Sequence, residues 1–420
     1  MNTKAYIVLA NGQVFEGKSF GATGCITGEV VFTTSMTGYL EALTDPSFYG
    51  QIILQTFPLL GNYGVIPADF ESSKTHAVGY IVREWCQNPS NFRSSGSIDE
   101  FFKERGIVGV YDVDTRALTK IIREHGVMNA RIVAFSGEPE KDIQAADELR
   151  SIMHDIIDNP GFVAHASRIR LLEEINNFKL EGEIQAVTGS ASPIEKTASQ
   201  VFSESAAHRA VPVTSTGLKI NNPEEAAKNG KGKKVVIWDF GAKANIRREL
   251  LKRGVEVVTV PANTSCDEIL ALNPDGVILS SGPGDPSSNP DIIAEIKKLI
   301  QNYIPIMGIC LGHLLLALAA GAKTEKMKYG HRGENQPVKE LDTGRVYIAS
   351  QSHGYAVDID SLPISAEVSF VNVNDNTCEG INYTDFPGFS VQFHPEAAGG
   401  PLDTNFIFDR FIDLINSVRY

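Results

Sequence analysis

Hydrophobic and polar positions alternate along this chain in two different rhythms. In the first third, short runs at Ala5–Leu9, Val14-Phe15, Glu29–Thr33 and Gln51–Thr56 predict strands, the first two joined across the hairpin signal Asn11-Gly12. Helical spacing of apolar residues follows at Ile98–Arg105 and Arg116–Glu124. Together these predict a mixed β/α domain over residues 1–150. From Lys233 the strands become mostly apolar: Val235–Trp238, Val255–Val260, Gly276–Leu279 and Ile304–Ile309. They alternate with helical patterns at Ala244–Arg253, Ser265–Leu272 and Pro290–Gln301, and Thr404–Val418 closes the chain as an amphipathic helix. Strands that are apolar at nearly every position are buried on both faces. Residues 233–420 are therefore expected to form an α/β domain around an open, mostly parallel sheet.

Residues 151–232 read as a connecting segment, partly linker-like. From about Glu173 to Gly232 no periodicity is sustained, and Ser, Thr, Asn, Gly and Lys dominate. The cluster Lys228–Lys234 reads as a solvated linker rather than an anion site. Composition narrows the field further. The 420 residues carry 38 Lys and Arg against 51 Asp and Glu, a net charge of −13. That balance argues against nucleic acid or an anionic membrane surface as the main partner, because a phosphate backbone needs a basic footprint. The longest apolar run, near Leu314–Ala320, is far short of the roughly 18 residues of a membrane span. The N-terminal apolar stretch is too short for a signal peptide. Five scattered cysteines without a CxxC pair suggest neither a disulfide framework nor a cysteine-based zinc site, so a reducing cytoplasm and no bound metal are expected.

The sharpest chemical signal is Gly308-Ile309-Cys310-Leu311-Gly312-His313. An apolar strand runs into Cys310 and a helix, Leu311–Ala320, leaves it. This is the G-x-nucleophile-x-G elbow with cysteine in the nucleophile position. The helix N-terminus there favours the thiolate. A cysteine nucleophile needs a base, and nine histidines compete. His313 lies one turn along the same helix, where it packs or hydrogen-bonds. His353, in Ser352-His353-Gly354-Tyr355, reads as a loop histidine with no carboxylate nearby. His394 ends an apolar strand in Phe393-His394-Pro395-Glu396. Positions i and i+2 of extended backbone face the same way, so Glu396 can fix the His394 tautomer. A third element, Ser280-Ser281-Gly282-Pro283-Gly284-Asp285, lacks the last glycine of a dinucleotide fingerprint and the Gly-Lys-Ser/Thr of a P-loop. It is either a simple tight turn or, with the Leu311 N–H, a set of backbone donors for an oxyanion.

These three motifs, in this order, resemble the class I (triad) glutamine amidotransferases. Thr34-Ser35-Met36-Thr37-Gly38-Tyr39, Leu43-Thr44-Asp45-Pro46-Ser47, Gly61-Asn62-Tyr63-Gly64, Asp112–Thr119 and Asp239-Phe240-Gly241-Ala242-Lys243 narrow the resemblance to the small subunits of carbamoyl-phosphate synthetases. It covers about residues 1–150 and 233–420. The resemblance implies that Cys310 attacks the side-chain amide of L-glutamine and that His394, oriented by Glu396, protonates departing ammonia and then activates water on the thioester. It implies backbone contacts to substrate and oxyanion from Gly282, Gly284 and Leu311, and glutamine contacts from Ser47, Gly354 and Tyr355. It also implies a large-subunit partner that uses ATP, Mg and K, reached by ammonia through a tunnel, and no cofactor on this chain.

Several positions depart from the family pattern. Leu314 and Ser352 occupy substrate-binding positions where Gln and Asn are usual, Ser281 replaces an Asn, and Glu334 and Gln336 stand where Gly and His are common. These departures leave two alternatives to a glutaminase subunit: a partner-binding scaffold with weak or no turnover, and a stand-alone cysteine hydrolase acting on another amide. The sequence does not separate pyrimidine from arginine synthesis as the destination of the product.

Overall fold

The computed structural model describes residues 3–138, 142, 163–180, 182–189 and 229–418. The chain divides into two compact units. The first holds Met1–Phe70, Lys74–Gly182 and Lys328–Gly333; the second holds Glu71–Ser73, Glu183–Met327 and Glu334–Tyr420.

The first unit is a closed barrel. Its strands are β1 (Lys4–Leu9), β2 (Val14–Gly21), β3 (Gly24–Thr33), β4 (Gln51–Gln55), β6 (Gly79–Ile81), β8 (Val108–Tyr111) and β9 (Met128–Ala134), in the order β1-β2-β8-β6-β4-β3-β9. The two-residue strands β5 (Leu59–Leu60) and β7 (Glu84–Trp85) pair separately. Period-2 alternation splits the buried residues into two cores. Ile7, Val30, Ile52 and Ile132 pack in one, with Leu118 and Ile122 of the helix Thr115–His125. Val31, Ile53 and Tyr80 pack in the other, with Phe101 and Phe102 of the helix Ile98–Arg105. That helix starts on a capping box in which Ser97 and Glu100 satisfy each other's backbone amides. β9 pairs with both β1 and β3, which closes the barrel and leaves no open edge.

The second unit is built on a nine-stranded sheet in the order β11-β10-β12-β13-β18-β17-β16-β14-β15. β10 (Lys234–Asp239), β11 (Glu256–Pro261), β12 (Gly276–Leu279), β13 (Ile306–Ile309) and β18 (Gly388–Val391) are mutually parallel. Helices cover both faces, as the mostly apolar strands require. Val236, Trp238, Val277 and Leu279 face the helices Pro290–Gln301 and Leu311–Ala320. Their neighbours Val235, Ile237 and Ile278 face Ala244–Lys252 and the last helix, Ile407–Ser417.

The other four strands, β14 (Thr324–Glu340), β15 (Val346–Val357), β16 (Ala366–Asn372) and β17 (Cys378–Tyr383), have no counterpart in the sequence reading, and the pairs β14–β16, β16–β17 and β17–β18 are antiparallel. His353 accordingly sits within β15 rather than on a loop. The connecting segment also holds regular structure: helices Val163–Asn177 and Glu183–Val187, the second inserting Ile184 into the core of the α/β unit. Residues 190–228, including Lys228 of the basic cluster, lie outside the described residues.

Candidate active site

Four adjacent parallel strands, β10-β12-β13-β18, deliver the site from their carboxyl ends, where open α/β sheets place their ligand crevices. Phe240–Lys243 follows β10, Ser280–Asp285 follows β12, Cys310 follows β13, and Gln392–Glu396 follows β18.

Cys310 sits at the elbow with φ 53° and ψ −103°, a backbone conformation that L-residues avoid. Its N–H donates to the Val391 carbonyl at 2.9 Å, tying the nucleophile strand to the strand that leads to His394. The thiol is buried, with Sγ 3.7 Å from the Ser352 carbonyl. The flanking glycines are required by close approach. A Cβ on Gly312 would stand 2.1 Å from the Leu279 carbonyl oxygen, and one on Gly308 would stand 2.7 Å from the Gly312 oxygen. Backbone cannot yield there as a flexible side chain would. Gly312→Ala is therefore expected to lower the unfolding free energy by about 3 kcal/mol or more, read as a fall in the denaturant midpoint at unchanged m. A midpoint equal to the parent's would show that the elbow tolerates a Cβ.

His394 is fully buried, and its Nδ1 lies 2.7 Å from Glu396 Oε1. The contact is made across a turn rather than along extended backbone as the i, i+2 reading expects: β18 ends at Val391, Pro395 and Glu396 are turn residues, and the Ala397 N–H donates to the His394 carbonyl at 3.3 Å. Burial and the Lys243 ammonium both work against a charged imidazole. Glu396 and Cys310 overcome them and raise its pKa to about 10. Glu396 is held below the ordinary carboxylate range: burial pushes it up, but His394 and then Lys243 bring it down. Lys243 Nζ stands 3.7 Å from Glu396 Oε1, both nearly inaccessible. His394 Nε2 is buried, and the Cys310 thiol is the group besides Glu396 that raises the ring's pKa.

The other two histidines are committed elsewhere. His353 has both ring nitrogens engaged, Nδ1 with the Tyr355 carbonyl at 2.8 Å and Nε2 with Gln351 Oε1 at 3.2 Å. His313 bonds Ser390 Oγ at 2.8 Å, and burial lowers its pKa to about 3, so it stays neutral.

The Leu311 N–H is the first amide of its helix and has no intrahelical acceptor, as an oxyanion donor must not. Gly282 lies against the Phe240 carbonyl and the Leu311 side chain, where a Cβ would meet both within 2.8 Å. Gly284, with φ +91°, faces the Glu183 carboxyl. Ser281 donates to the Gly241 carbonyl at 3.3 Å. Ser352 places its carbonyl on Cys310, while its hydroxyl is buried and unpartnered among the described residues. Leu314, four residues past Cys310, packs in the apolar core with Leu311 and Phe240. Gly354 and Tyr355 follow on β15, half-buried. Ser47 belongs to the barrel unit, where its N–H donates to Asp45 Oδ1 at 2.8 Å and its Oγ is buried without a partner among the described residues.

Sequence reasoning quoted Lys243 only as part of a motif and passed over Glu71. The signal for Lys243 was available, since a lysine directly after a strand-end Asp-Phe-Gly-Ala turn is placed at a sheet's carboxyl edge. Glu71 had no local signal.

A family model described as glutamine amidotransferase class-I matches residues 236–414, the stretch that carries Cys310, His394 and Glu396. That match makes this stretch a class I glutamine amidotransferase domain. A second model, carbamoyl-phosphate synthase small chain, CPSase domain, matches residues 7–132. A carbamoyl phosphate synthase small chain of Archaeoglobus fulgidus is 42% identical over 99% of this chain and all of its own length. Those of Fusobacterium nucleatum and Lactococcus lactis are each 42% identical as well, over 98% and 99% of this chain and 98% and 99% of their own. The chain belongs to the carbamoyl-phosphate synthase small chain family. Among the described residues no helix is long and apolar enough to cross a membrane.

Proposed function

We propose that this chain is the glutaminase subunit of a glutamine-hydrolysing carbamoyl-phosphate synthase, with Cys310, His394 and Glu396 as its catalytic triad. The observation that carries the reading is the buried His394–Glu396 pair at 2.7 Å beside a cysteine held on a strained strand-to-helix elbow. The Cys310 thiol proton goes to His394 Nε2 and Sγ adds to the side-chain carbonyl of L-glutamine, the oxyanion forming against the Leu311 N–H and the Gly282–Gly284 turn. His394 passes its proton to the amide nitrogen, ammonia leaves, and a thioester remains. Water then adds with His394 as base, glutamate departs, and the thiol is restored. Glu396 holds the tautomer throughout and stabilises the imidazolium. Gly354 and Tyr355 are assigned to contacts with glutamine, and Leu314 and Ser352 flank the same site.

The released ammonia serves a large subunit that consumes ATP and bicarbonate in the cytoplasm; ATP, Mg and K belong to that partner in this reading. Ammonia release from glutamine by the chain alone, and with a cognate large subunit plus ATP and bicarbonate, tests it. Slow release alone with a large rise in the complex is expected. No release in either state, with the partner still bound, would favour a scaffold. Equal release with and without partner would favour a stand-alone hydrolase.

Leu314 bears on affinity. A glutamine at this helix position offers an amide to the substrate that leucine withholds, worth about 0.5–1.5 kcal/mol. Leu314→Gln is expected to lower KM for glutamine by about 2- to 10-fold with kcat little changed. It should also destabilise the free protein, because the new amide is buried among Leu311 and Phe240. An unchanged KM would remove Leu314 from the substrate site.

A further inference from the structure

Among the buried carboxylates of the α/β unit that the mechanism above does not use is Glu71. Glu71 lies far from the triad in sequence, yet Glu71–Ser73 pack with this unit. The helix Ala244–Lys252 begins beside it without a side-chain cap of its own. Glu71 supplies one: its carbonyl accepts the Ala244 N–H at 2.8 Å and its Oε2 the Asn245 N–H at 3.1 Å. Its Oε1 accepts the Asn245 side-chain amide at 2.8 Å. The residue immediately before that helix is Lys243, whose ammonium stands 3.7 Å from Glu396. The charges facing Glu71 are Lys243, Arg248 and Glu396. A line of alternating charge thus runs from Glu71 through Lys243 to Glu396 and the His394 imidazole.

We propose that Glu71 is a positioning residue of the glutaminase site: it shares the Lys243 ammonium with Glu396 and thereby sets how strongly Lys243 opposes the His394 imidazolium. The inference rests on the triad reading. Lys243 lowers the affinity of His394 for a proton, so a carboxylate that offsets Lys243 raises it. Burial lifts the Glu71 carboxyl to about 7, against the pull of Lys243 and Arg248. Glu71 is therefore charged in the upper half of the physiological range and neutral below it. The offset to Lys243 switches on as pH rises through that value.

A capping role alone makes a different prediction from a positioning role. Glu71→Gln keeps an acceptor oxygen for Asn245 and removes the charge. The direct test is a titration of the His394 imidazole by ¹⁵N NMR in the full chain, which needs no turnover. In Glu71→Gln the His394 pKa is expected to fall by about half a unit or more, a threefold change in its protonation equilibrium. Glu71→Asp, which keeps the charge, should restore most of it. Wild-type kcat/KM for glutamine should show an inflection near pH 7 that Glu71→Gln removes.

An imidazole pKa equal in wild type and Glu71→Gln, with only a lower Tm in the variant, would overturn the proposal and leave Glu71 a helix cap. Should Glu71→Gln not fold, Arg248→Gln reads the same group. Removing that facing cation should move the inflection near 7 upward, and an unmoved inflection would count against the proposal. Absence of ammonia release from the wild type would refute the glutaminase reading instead, and the NMR titration would still decide the coupling.

Discussion

Cys310→Ser is expected to abolish ammonia release from glutamine, with kcat falling by about 10³-fold or more while the protein stays folded. The thiol is the group that forms the thioester. A serine fits the elbow because Oγ is smaller than Sγ and the strained backbone is unchanged. It is a far poorer nucleophile, since oxygen in a hydroxyl is intrinsically less nucleophilic than sulfur in a thiol. Two further readouts separate chemistry from folding. Acid-quenched wild-type protein should retain label from glutamine as a thioester, and the variant should not. In the complex with a large subunit, supplied ammonia should bypass the lesion and sustain carbamoyl phosphate formation. Glutamine-dependent release surviving in Cys310→Ser would remove Cys310 from the chemistry.

Glu396→Gln carries the second large effect. The carboxylate lifts His394 against burial and Lys243, and without it both opposing influences remain. A base whose pKa is raised by a partner loses that increment when the partner is neutralised, so the His394 pKa falls and the imidazolium that must form during amide cleavage is destabilised. The amide of glutamine would also present an N–H to Nδ1 and favour the wrong tautomer. A loss of about 10²- to 10⁴-fold in kcat is expected, with KM for glutamine changed far less, because Glu396 touches His394 rather than substrate. The pH dependence of kcat should move its acid limb to lower pH. The same pair bears on stability. The raised pKa of His394 contributes stability that is fully present below the unfolded histidine value near 6.5 and is lost as pH rises toward about 10. The depressed Glu396 contributes stability above its unfolded value near 4.5 that is lost as pH falls. Equal kcat in Glu396→Gln and wild type would show that the base needs no orienting carboxylate.

The second unit was legible where its information is local. Mostly apolar strands, each followed by a helix at 3.6-residue spacing, give a parallel sheet because only burial on both faces tolerates them. The helices Pro290–Gln301 and Leu311–Ala320 fall on their expected bounds, and Gly308, Cys310 and Gly312 specify a turn that few other residues can enter. His394 and Glu396 are two residues apart within one turn, so their contact is also a local fact, although the turn and not the extended backbone expected from the sequence makes it. β14 to β17 were not legible. Their burial patterns are irregular, as in β14, where exposed and buried positions do not alternate cleanly. An irregular antiparallel strand has no periodicity to detect.

The sequence by itself determined the elbow, the His-Pro-Glu pair, the α/β alternation and the family to which the chain belongs, because each is written within a few residues or in motifs of fixed spacing. The tertiary structure alone decided the rest. The strands of the first unit close into a barrel, which depends on β9 pairing with β1 and β3 across most of the unit. The Cys310 N–H bonds the Val391 carbonyl, so that nucleophile and base arrive on neighbouring strands. Glu71 reaches the helix behind Lys243 from a segment with no motif of its own. Strand pairing and buried charge are properties of chain segments far apart in sequence. Their energies come from desolvation and contact that exist only once the chain has folded.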